Sequence, residues 1–208
     1  MNHAFLRLTL VTNQQTTPLN DYVQFIHLCA KAGITAVQLR DKTSSFQECL
    51  AFGHALKTIL ASFSIPLIIN DNIDLAVALD ADGVHLGQTD GCPIEARHRL
   101  GSQKIIGVSI DSMDNLFAAN EQPIDYVGIG AIFPTDNKPN VSTIWGLEGL
   151  SHLSSLSKHP VIAIGGINES NAEGVMRSGA DGIAVIGAIH DSHCPTETVR
   201  TLHSTTHH

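Results

Sequence analysis

Eight short β-prone segments alternate with helical segments along the chain, and this alternation limits the possible fold more than any other feature. The strand candidates are residues 8–12, 36–40, 67–70, 83–85, 105–108, 126–129, 161–164 and 182–186. A segment as uniformly apolar as 161–164 fits a parallel sheet that is covered on both faces. Eight βα units in 208 residues predict one α/β domain over residues 1–208, a (β/α)8 TIM barrel, because open doubly wound sheets usually have fewer strands.

Helical character fills the intervals between these strands. The helix candidates are residues 19–31, 46–62, 73–79, 93–100, 113–120, 146–156, 171–178 and a last one around 197–203. We expect Ser44 or Ser45 to cap the second helix and Asn168 to cap the seventh. The near-repeats at 32–37, 80–84 and 178–183 each end a helix and start a strand, so their glycines and aspartates are expected to be structural, at the bottom of the barrel.

Two further segments carry expectations of their own. Residues 133–143 form the long connection after the sixth strand, and their polar character makes them a candidate lid. The last residues, which include His207-His208, are expected to form a flexible tail without a metal role.

Composition narrows the classes of partner. The formal net charge of −8 argues against nucleic acid or an anionic membrane, which would favour a broad basic surface. Four widely separated cysteines without a Cys-x-x-Cys pair indicate reduced thiols, not a zinc site or a disulfide framework. No segment has the length of a membrane span or the form of a cleavable signal, so we expect an unprocessed cytoplasmic protein.

Two carboxylates follow consecutive strand candidates. Asp71 ends the run Ile69-Asn70-Asp71, and Asp90 ends the segment after the fourth strand. Each could simply cap the helix or turn that follows it. If the two strands are neighbours in a parallel sheet, however, both carboxylates open onto one rim and can share Mg²⁺, which is often held by one or two carboxylates together with substrate phosphates.

Basic residues fall near the same predicted rim. Arg40 ends the second strand, Lys42 follows it, and Lys138 lies on the long loop. Alternation along a strand puts Gln38 and Arg40 on the same side. These cations could be ordinary surface charges, but a guanidinium inside the top of a barrel needs an anion, so the rim is a candidate site for a diphosphate.

Glycines follow the last two strands, where barrels of this kind commonly bind phosphate. Gly165 and Gly166 precede a helix, and Gly187 follows Ile186. Either loop alone could be an ordinary turn, whereas the two together favour a phosphate site built from backbone amides. Ser109 could cap the next helix or contact a ligand, and His85 is interpreted as a satisfied core histidine with no assigned chemical role.

These motifs occur together in a recognisable order. They are VQLRDK (37–42), IND (69–71), DGVHLGQTD (82–90), GVS (107–109), GIGAIFPT (128–135) with Lys138, and AIGGI (163–167). Over nearly the whole chain they resemble the thiamine-phosphate synthase family. The resemblance implies a (β/α)8 barrel that joins hydroxymethylpyrimidine diphosphate to a thiazole phosphate, with release of diphosphate. It also implies Mg²⁺ as cofactor, small phosphorylated molecules as substrates and a homo-oligomer.

The resemblance assigns roles to particular residues. The pyrimidine diphosphate would contact Gln38, Leu39, Arg40, Asp41, Lys42, Asn70, Ser109 and Lys138, with Arg40, Lys42, Ser109 and Lys138 as the catalytic group. The thiazole phosphate would contact Thr135, Asp136, Asn137, Gly166, Ile186 and Gly187, and Asp71 and Asp90 would hold the metal. The chain departs from the usual family pattern at Asp136, which puts an acid beside a phosphate site, at Gly187, where a serine is frequent, and at Thr9, where the family often has an aromatic residue.

Two alternatives share parts of this pattern. A thiazole tautomerase of related architecture would use the phosphate loops and an acid/base group, but the segment Ser109-Ile110-Asp111-Ser112 lacks the histidine expected for that base. A barrel that only binds a phosphate ligand would need the loops but neither carboxylate.

Overall fold

The protein is a closed barrel of eight parallel strands, as the alternation predicts. The computed structural model describes residues 3–137 and 143–207. The strands are β1 (Leu8–Val11), β2 (Ala36–Leu39), β3 (Leu67–Asn70), β4 (Gly83–Leu86), β5 (Ile105–Ile110), β6 (Tyr126–Gly130), β7 (Val161–Ile164) and β8 (Gly182–Val185). Predicted and observed strand ends differ by no more than two residues.

Helices surround the barrel. A 3₁₀ helix (His3–Leu6) precedes β1, and the α-helices are α1 (Leu19–Ala32), α2 (Phe46–Ala61), α3 (Ile73–Ala78), α4 (Pro93–Leu100), α5 (Met113–Ala119), α6 (Gly146–Leu156), α7 (Ala172–Arg177), α8 (Gly187–His190) and α9 (Pro195–Thr205). The sequence patterns did not predict α8, because a single turn is too short to show helical periodicity. His207 packs its ring against His203. His208 lies outside the described residues, so the expectation of a flexible tail over the last residues stays a prediction.

The predicted helix caps had mixed outcomes. Ser45 caps α2 in a complete capping box with Glu48. The expectation for Asn168 is wrong, since Asn171 occupies the cap position of α7 and makes no side-chain cap bond there. The Asn168 side chain instead accepts hydrogen bonds from Ser170 in the preceding turn.

Barrel closure brings the carboxyl ends of all strands to one rim. β1 pairs with β2 on one side and with β8 on the other, with Leu8 opposite Ile183. Side chains alternate, so Val37 and Leu39 pack outward against the helices while Ala36 and Gln38 point into the barrel. A small apolar cluster fills the barrel itself and consists of Leu6, Val11, Tyr126, Ile162 and Ala184. Polar groups are therefore concentrated above this cluster, at the carboxyl rim.

A repeated pair of hydrogen bonds links strands at the opposite, amino-terminal end. The residue just before each even-numbered strand uses its side-chain oxygen to accept a bond from a backbone N–H at the start of the preceding odd-numbered strand. Its own backbone N–H donates to a carbonyl of that same strand. The side-chain acceptors are Thr35 for Leu8 N at 2.8 Å, Asp82 for Leu67 N at 2.8 Å, Asp125 for Ile106 N at 2.7 Å and Asp181 for Val161 N at 2.7 Å. We call these four the clamp residues. Two of them, Asp82 and Asp181, are aspartates of the near-repeats and have the structural role predicted for those aspartates.

Two expectations from composition can be compared with the coordinates. All four cysteines lie within the described ranges and none forms a disulfide. No helix in residues 3–137 or 143–207 combines the length and apolar character needed to cross a bilayer.

The clamps generate a stability prediction. Asp82→Ala should lower the free energy of unfolding by about 1–3 kcal/mol, because the amide of the buried Leu67 loses its side-chain acceptor. Urea denaturation followed by circular dichroism measures this change. Asp82→Thr is the matched control, since the Thr35 side chain accepts the equivalent bond for β1. The Asp82→Thr variant should lose less unfolding free energy than Asp82→Ala. Equal losses in the two variants would contradict the clamp role.

Candidate active site

One cavity of about 670 Å³ opens at the carboxyl rim of the barrel. It brings together most of the residues singled out from the sequence, namely Gln38, Arg40, Lys42, Asn70, Asp71, Asp90, Ser109, Thr135, Asn137, Gly166, Ile186 and Gly187. They come from the ends of seven strands, β2 to β8, and the loops that follow. The volume is in the usual range for small-molecule sites.

Three of the residues singled out are not part of the described lining. Leu39 is buried on the outer, helix-facing side of β2, where alternation places it. Asp41 turns its carboxylate onto the backbone amides of Thr43 and Ser44 at 2.9 Å each, which organises the turn after β2. Asp136 is exposed and does not line the cavity, so its charge does not face the enclosed space.

Lys138 and the end of the long loop lie outside the described residues, which stop at Asn137 and resume at Thr143. The role of Lys138 and the closure of this loop as a lid therefore stay predictions. The described start of the loop is held by backbone bonds from Ile132 to Ile164 and from Phe133 to Gly165, each 3.0 Å long.

Asp71 and Asp90 face each other across the rim. Burial, together with the neighbouring Asp90, raises the pKa of Asp71 to about 6, although Lys42 and Arg40 act in the opposite direction. Asp71 also has a φ of 66°, a left-handed backbone conformation that non-glycine residues seldom adopt. The fold thus holds two carboxylates close together at a cost in folding free energy. This arrangement is suited to a cation.

Neither carboxylate serves as the simple helix cap considered from the sequence. Asn72 caps α3 by accepting a bond from Leu75 N at 2.8 Å, and Cys92 precedes α4 without a side-chain cap bond. Asp90 accepts a bond from Gly87 N at 2.9 Å, which fixes its own turn. Asp71 is left to face the cavity, with Lys42 Nζ 3.8 Å from its Oδ2.

The ends of β2 and β3 present paired amides. Gln38 Nε2 donates to Asn70 Oδ1 at 2.6 Å, and both side chains line the cavity. Each amide still carries the complementary group for a ligand, an acceptor on Gln38 and a donor on Asn70. Thr12 Oγ1 bonds both the backbone N–H and the carbonyl of Arg40, so the chain that carries the guanidinium is fixed.

Arg40 spans the two halves of the cavity. Its half-buried side chain reaches across the barrel, and Nη2 donates to Asn137 O at 3.4 Å. The charged side chains of the described lining are two basic groups, on Arg40 and Lys42, and three carboxylates, on Asp71, Asp90 and Asp111. A polyanion bound here would need additional positive charge.

The cavity also contains a polar chain that the sequence analysis missed. His85 Nδ1 and Tyr126 Oη are 2.9 Å apart, and His85 Nε2 and Ser109 Oγ are also 2.9 Å apart. The interpretation of His85 as a satisfied residue of the barrel interior is correct, but its ring lines the cavity and orients Ser109. A cap role for Ser109 is wrong, since Ser112 caps α5.

Two glycines make space for this chain. A methyl group on Gly107 would lie 2.1 Å from the Tyr126 ring, and one on Gly128 would lie 2.9 Å from His85. Larger residues at either position would displace the rings. The sequence does not show which side chains these glycines make room for, so it carries no direct signal for the His85–Tyr126 pair.

The loops after β7 and β8 form the far wall of the cavity. Gly165 and Gly166 have φ values of 100° and 67°, and a methyl group on Gly166 would lie 2.6 Å from Pro134 O. This glycine pair lets the loop after β6 pack against the loop after β7. A methyl group on Gly187 would lie 2.7 Å from Asp191 Oδ2, so in this chain the Asp191 carboxylate occupies the direction that a serine side chain would take.

Comparison with known proteins gives a consistent result. The sequence model of the family described as thiamine monophosphate synthase matches residues 8–189. A thiamine-phosphate synthase of Chlamydia caviae is 49% identical over 202 residues, which cover 97% of this chain and 95% of that protein. The thiamine-phosphate synthase of Vibrio parahaemolyticus is 42% identical over 197 residues, 94% of this chain and 96% of that protein.

Solved structures agree with the sequence relatives. The thiamine phosphate pyrophosphorylase of Pyrococcus furiosus superposes with a TM-score of 0.88 at 33% identity, covering 98% of this chain and 96% of that one. A 3-hexulose-6-phosphate synthase, at 15% identity and a TM-score of 0.71, shares the fold alone. With the family model matched over most of its length and relatives this similar, the chain belongs to the thiamine monophosphate synthase family.

Proposed function

We propose that this transferase joins hydroxymethylpyrimidine diphosphate to a thiazole phosphate, giving thiamine phosphate and diphosphate. The observation that carries the proposal is the carboxylate pair Asp71 and Asp90, set beside Arg40 and Lys42 at one end of a cavity that has glycine-rich phosphate loops at the other. The names of the relatives support the same reaction.

The reaction requires the protein to position the two substrates and to stabilise the charge that develops. The carbon–oxygen bond between the pyrimidine methylene and the diphosphate breaks, and diphosphate leaves with the electron pair. The thiazole nitrogen supplies the pair for the new carbon–nitrogen bond. The electron-rich aminopyrimidine stabilises the carbocation-like methylene, so the main tasks of the protein are to hold both partners and to bind the departing anion.

The β2 and β3 ends are suited to the first substrate. Arg40 and Lys42 supply positive charge for the diphosphate, and Lys138 is proposed to add to it from the long loop. The Gln38–Asn70 pair offers an acceptor and a donor to the pyrimidine ring and its diphosphate. Ser109, oriented by His85, would contact the pyrimidine end.

Asp71 and Asp90 fit a Mg²⁺ ion. Burial and the neighbouring Asp90 together raise the pKa of Asp71, so a cation at this pair would favour its ionised form, and oxygen ligands suit a hard cation. Within residues 3–137 and 143–207 no group of three or more His, Cys, Asp or Glu side chains could hold a metal, so substrate oxygens and water would complete the coordination. The bound ion would supply charge neutralisation that makes diphosphate a better leaving group.

The loops after β6, β7 and β8 are suited to the thiazole phosphate. Gly166 and Gly187 allow backbone amides to approach an anion, and Asn137 and Thr135 add side-chain donors at the cavity edge. Asp136 is exposed and is not part of the cavity lining, which supports a thiazole-phosphate site here despite its charge. A cytoplasmic location, expected from the sequence features, and a homo-oligomer, implied by the family resemblance, remain predictions.

A direct coupling assay tests the proposal. Purified protein, hydroxymethylpyrimidine diphosphate and thiazole phosphate are incubated with Mg²⁺ or with EDTA, and thiamine phosphate and diphosphate are separated by chromatography. Equimolar appearance of both products, only with Mg²⁺, is expected. Conversion of a thiazole tautomer without coupling would favour the tautomerase alternative, and binding of thiazole phosphate without turnover would favour a non-catalytic barrel.

The metal role gives a second prediction. Asp90→Ala should lower kcat by about 100-fold or more, because lost charge stabilisation of this kind commonly costs at least that much. Asp74→Ala is the matched control, since Asp74 is an exposed aspartate on α3 that pairs with Arg99 outside the cavity. Circular dichroism verifies folding of both variants, and a wild-type kcat for Asp90→Ala would reject the role.

The carboxylate pair also gives a pH-dependent stability prediction. The folded-state pKa of Asp71, about 6, is above the ordinary value of 3.8, so ionisation of Asp71 costs stability as pH rises through this window. In metal-free buffer at pH 7.5, Asp71→Asn should therefore stabilise the protein, by about 1 kcal/mol after allowance for solvent screening. Thermal melts should show this gain shrinking toward pH 4, and a constant gain at all pH values would argue against it.

A further inference from the structure

Helix α8 carries one wall of the cavity but is only one turn long. It spans Gly187–His190, directly after the predicted phosphate residue Ile186. A single turn has no stability of its own, because helix nucleation is unfavourable until several further bonds form. Its position on the rim must come from contacts with the rest of the barrel.

His190, the last residue of α8, makes those contacts on both sides of its ring. Nδ1 lies 2.8 Å from Ile186 O within the turn, and Nε2 lies 2.7 Å from Tyr22 Oη on α1. The ring also stacks on Tyr22 with 13° between the planes and packs against Phe25. With Nδ1–H donating to the carbonyl, Nε2 is the acceptor for the tyrosine hydroxyl.

The tyrosine is in turn bound to a rigid part of the rim. Tyr22 Oη accepts a hydrogen bond from Asn13 N at 2.8 Å, and the residue before it, Thr12, holds the backbone of Arg40. Burial raises the pKa of Tyr22 and lowers the pKa of His190. Both groups therefore stay neutral near pH 7, as the donor and acceptor assignment requires.

We propose that the Tyr22–His190 pair is a positioning device for the thiazole-phosphate end of the cavity, an inference that rests on the proposed function. Through this pair α1 holds α8, and α8 presents the Gly187 and Ala188 backbone to the cavity. Neither side chain of the pair lines the cavity, so both residues act through the helix without touching the substrate. A purely apolar contact would hold α8 less specifically, since a hydrogen bond fixes direction as well as distance.

The test is steady-state kinetics on variants that each break the bond between Tyr22 and His190; Tyr22→Phe also removes the acceptor of Asn13 N. Tyr22→Phe removes only the hydroxyl, and His190→Asn keeps a donor near Ile186 O but is too short to reach Tyr22. Each should raise KM for the thiazole phosphate about 3- to 10-fold, the range expected for one lost hydrogen bond. KM for the pyrimidine diphosphate and kcat at saturation should stay near wild type.

Two comparisons separate positioning from general stability. His190→Gln can still offer its side-chain oxygen to the Tyr22 hydroxyl and should stay closer to wild type than His190→Asn. The double variant Tyr22→Phe with His190→Asn should be little worse than Tyr22→Phe alone, because Tyr22→Phe already lacks the bond to His190. His159→Asn is the matched control, since His159 bonds Ala119 O on the other end of the barrel and should leave both KM values unchanged.

Hydrogen exchange provides a readout that does not depend on turnover. In protein without substrates, Tyr22→Phe and His190→Asn should speed amide exchange in residues 186–190 and leave β2 and β3 unchanged. Unchanged exchange there, or equal rises in both KM values, would overturn the positioning role. Failure of the wild-type protein to form thiamine phosphate would instead overturn the proposed function, and the exchange result would still decide whether the pair holds α8.

Discussion

The closed ladder of parallel hydrogen bonds, completed where β1 meets β8, is the constraint on which the rest of the molecule depends. Closure directs the carboxyl end of every strand to one rim and forces alternate side chains into a narrow interior. The lower interior is filled mainly by the apolar cluster around Tyr126 and Ile162, so most polar side chains of the interior lie near the top. The position of the cavity follows from this packing.

At the rim, repulsion between neighbouring carboxylates is only partly offset by the basic side chains of the described lining. Asp71 has a left-handed backbone and a carboxylate beside Asp90, and the described lining has more carboxylates than cations. A protein selected for stability alone would have little reason to keep this arrangement. The repulsion becomes useful if the pair is neutralised only when a cation and its anionic substrate are present, because binding then relieves a cost already present in the folded chain.

The barrel could be predicted because it follows from periodicity, and so could the part of the cavity lining that follows from strand ends, whereas Thr135 and Asn137 came from the family resemblance. Strands alternate with helices at regular intervals, and the end-of-strand rule brought Asp71 and Asp90 together before any coordinates were considered. The inclusion of Leu39 came from the resemblance, although alternation alone places it outside the barrel. The contacts of His85 in the cavity could not be predicted, because its partners come from β5 and β6. A sequence does not show which side chains a glycine makes room for.

The clamp residues divide the barrel into four quarters, because each bonds an even-numbered strand to the odd-numbered strand before it. At the opposite end two side-chain contacts run between quarters. Gln38 on β2 bonds Asn70 on β3, and His85 on β4 bonds Ser109 on β5. The Thr12–Arg40 bonds at this end stay within the first quarter. Because the cavity lining comes from all four quarters, an opening of any seam between them would separate residues that the cavity brings together, so activity requires a closed ring.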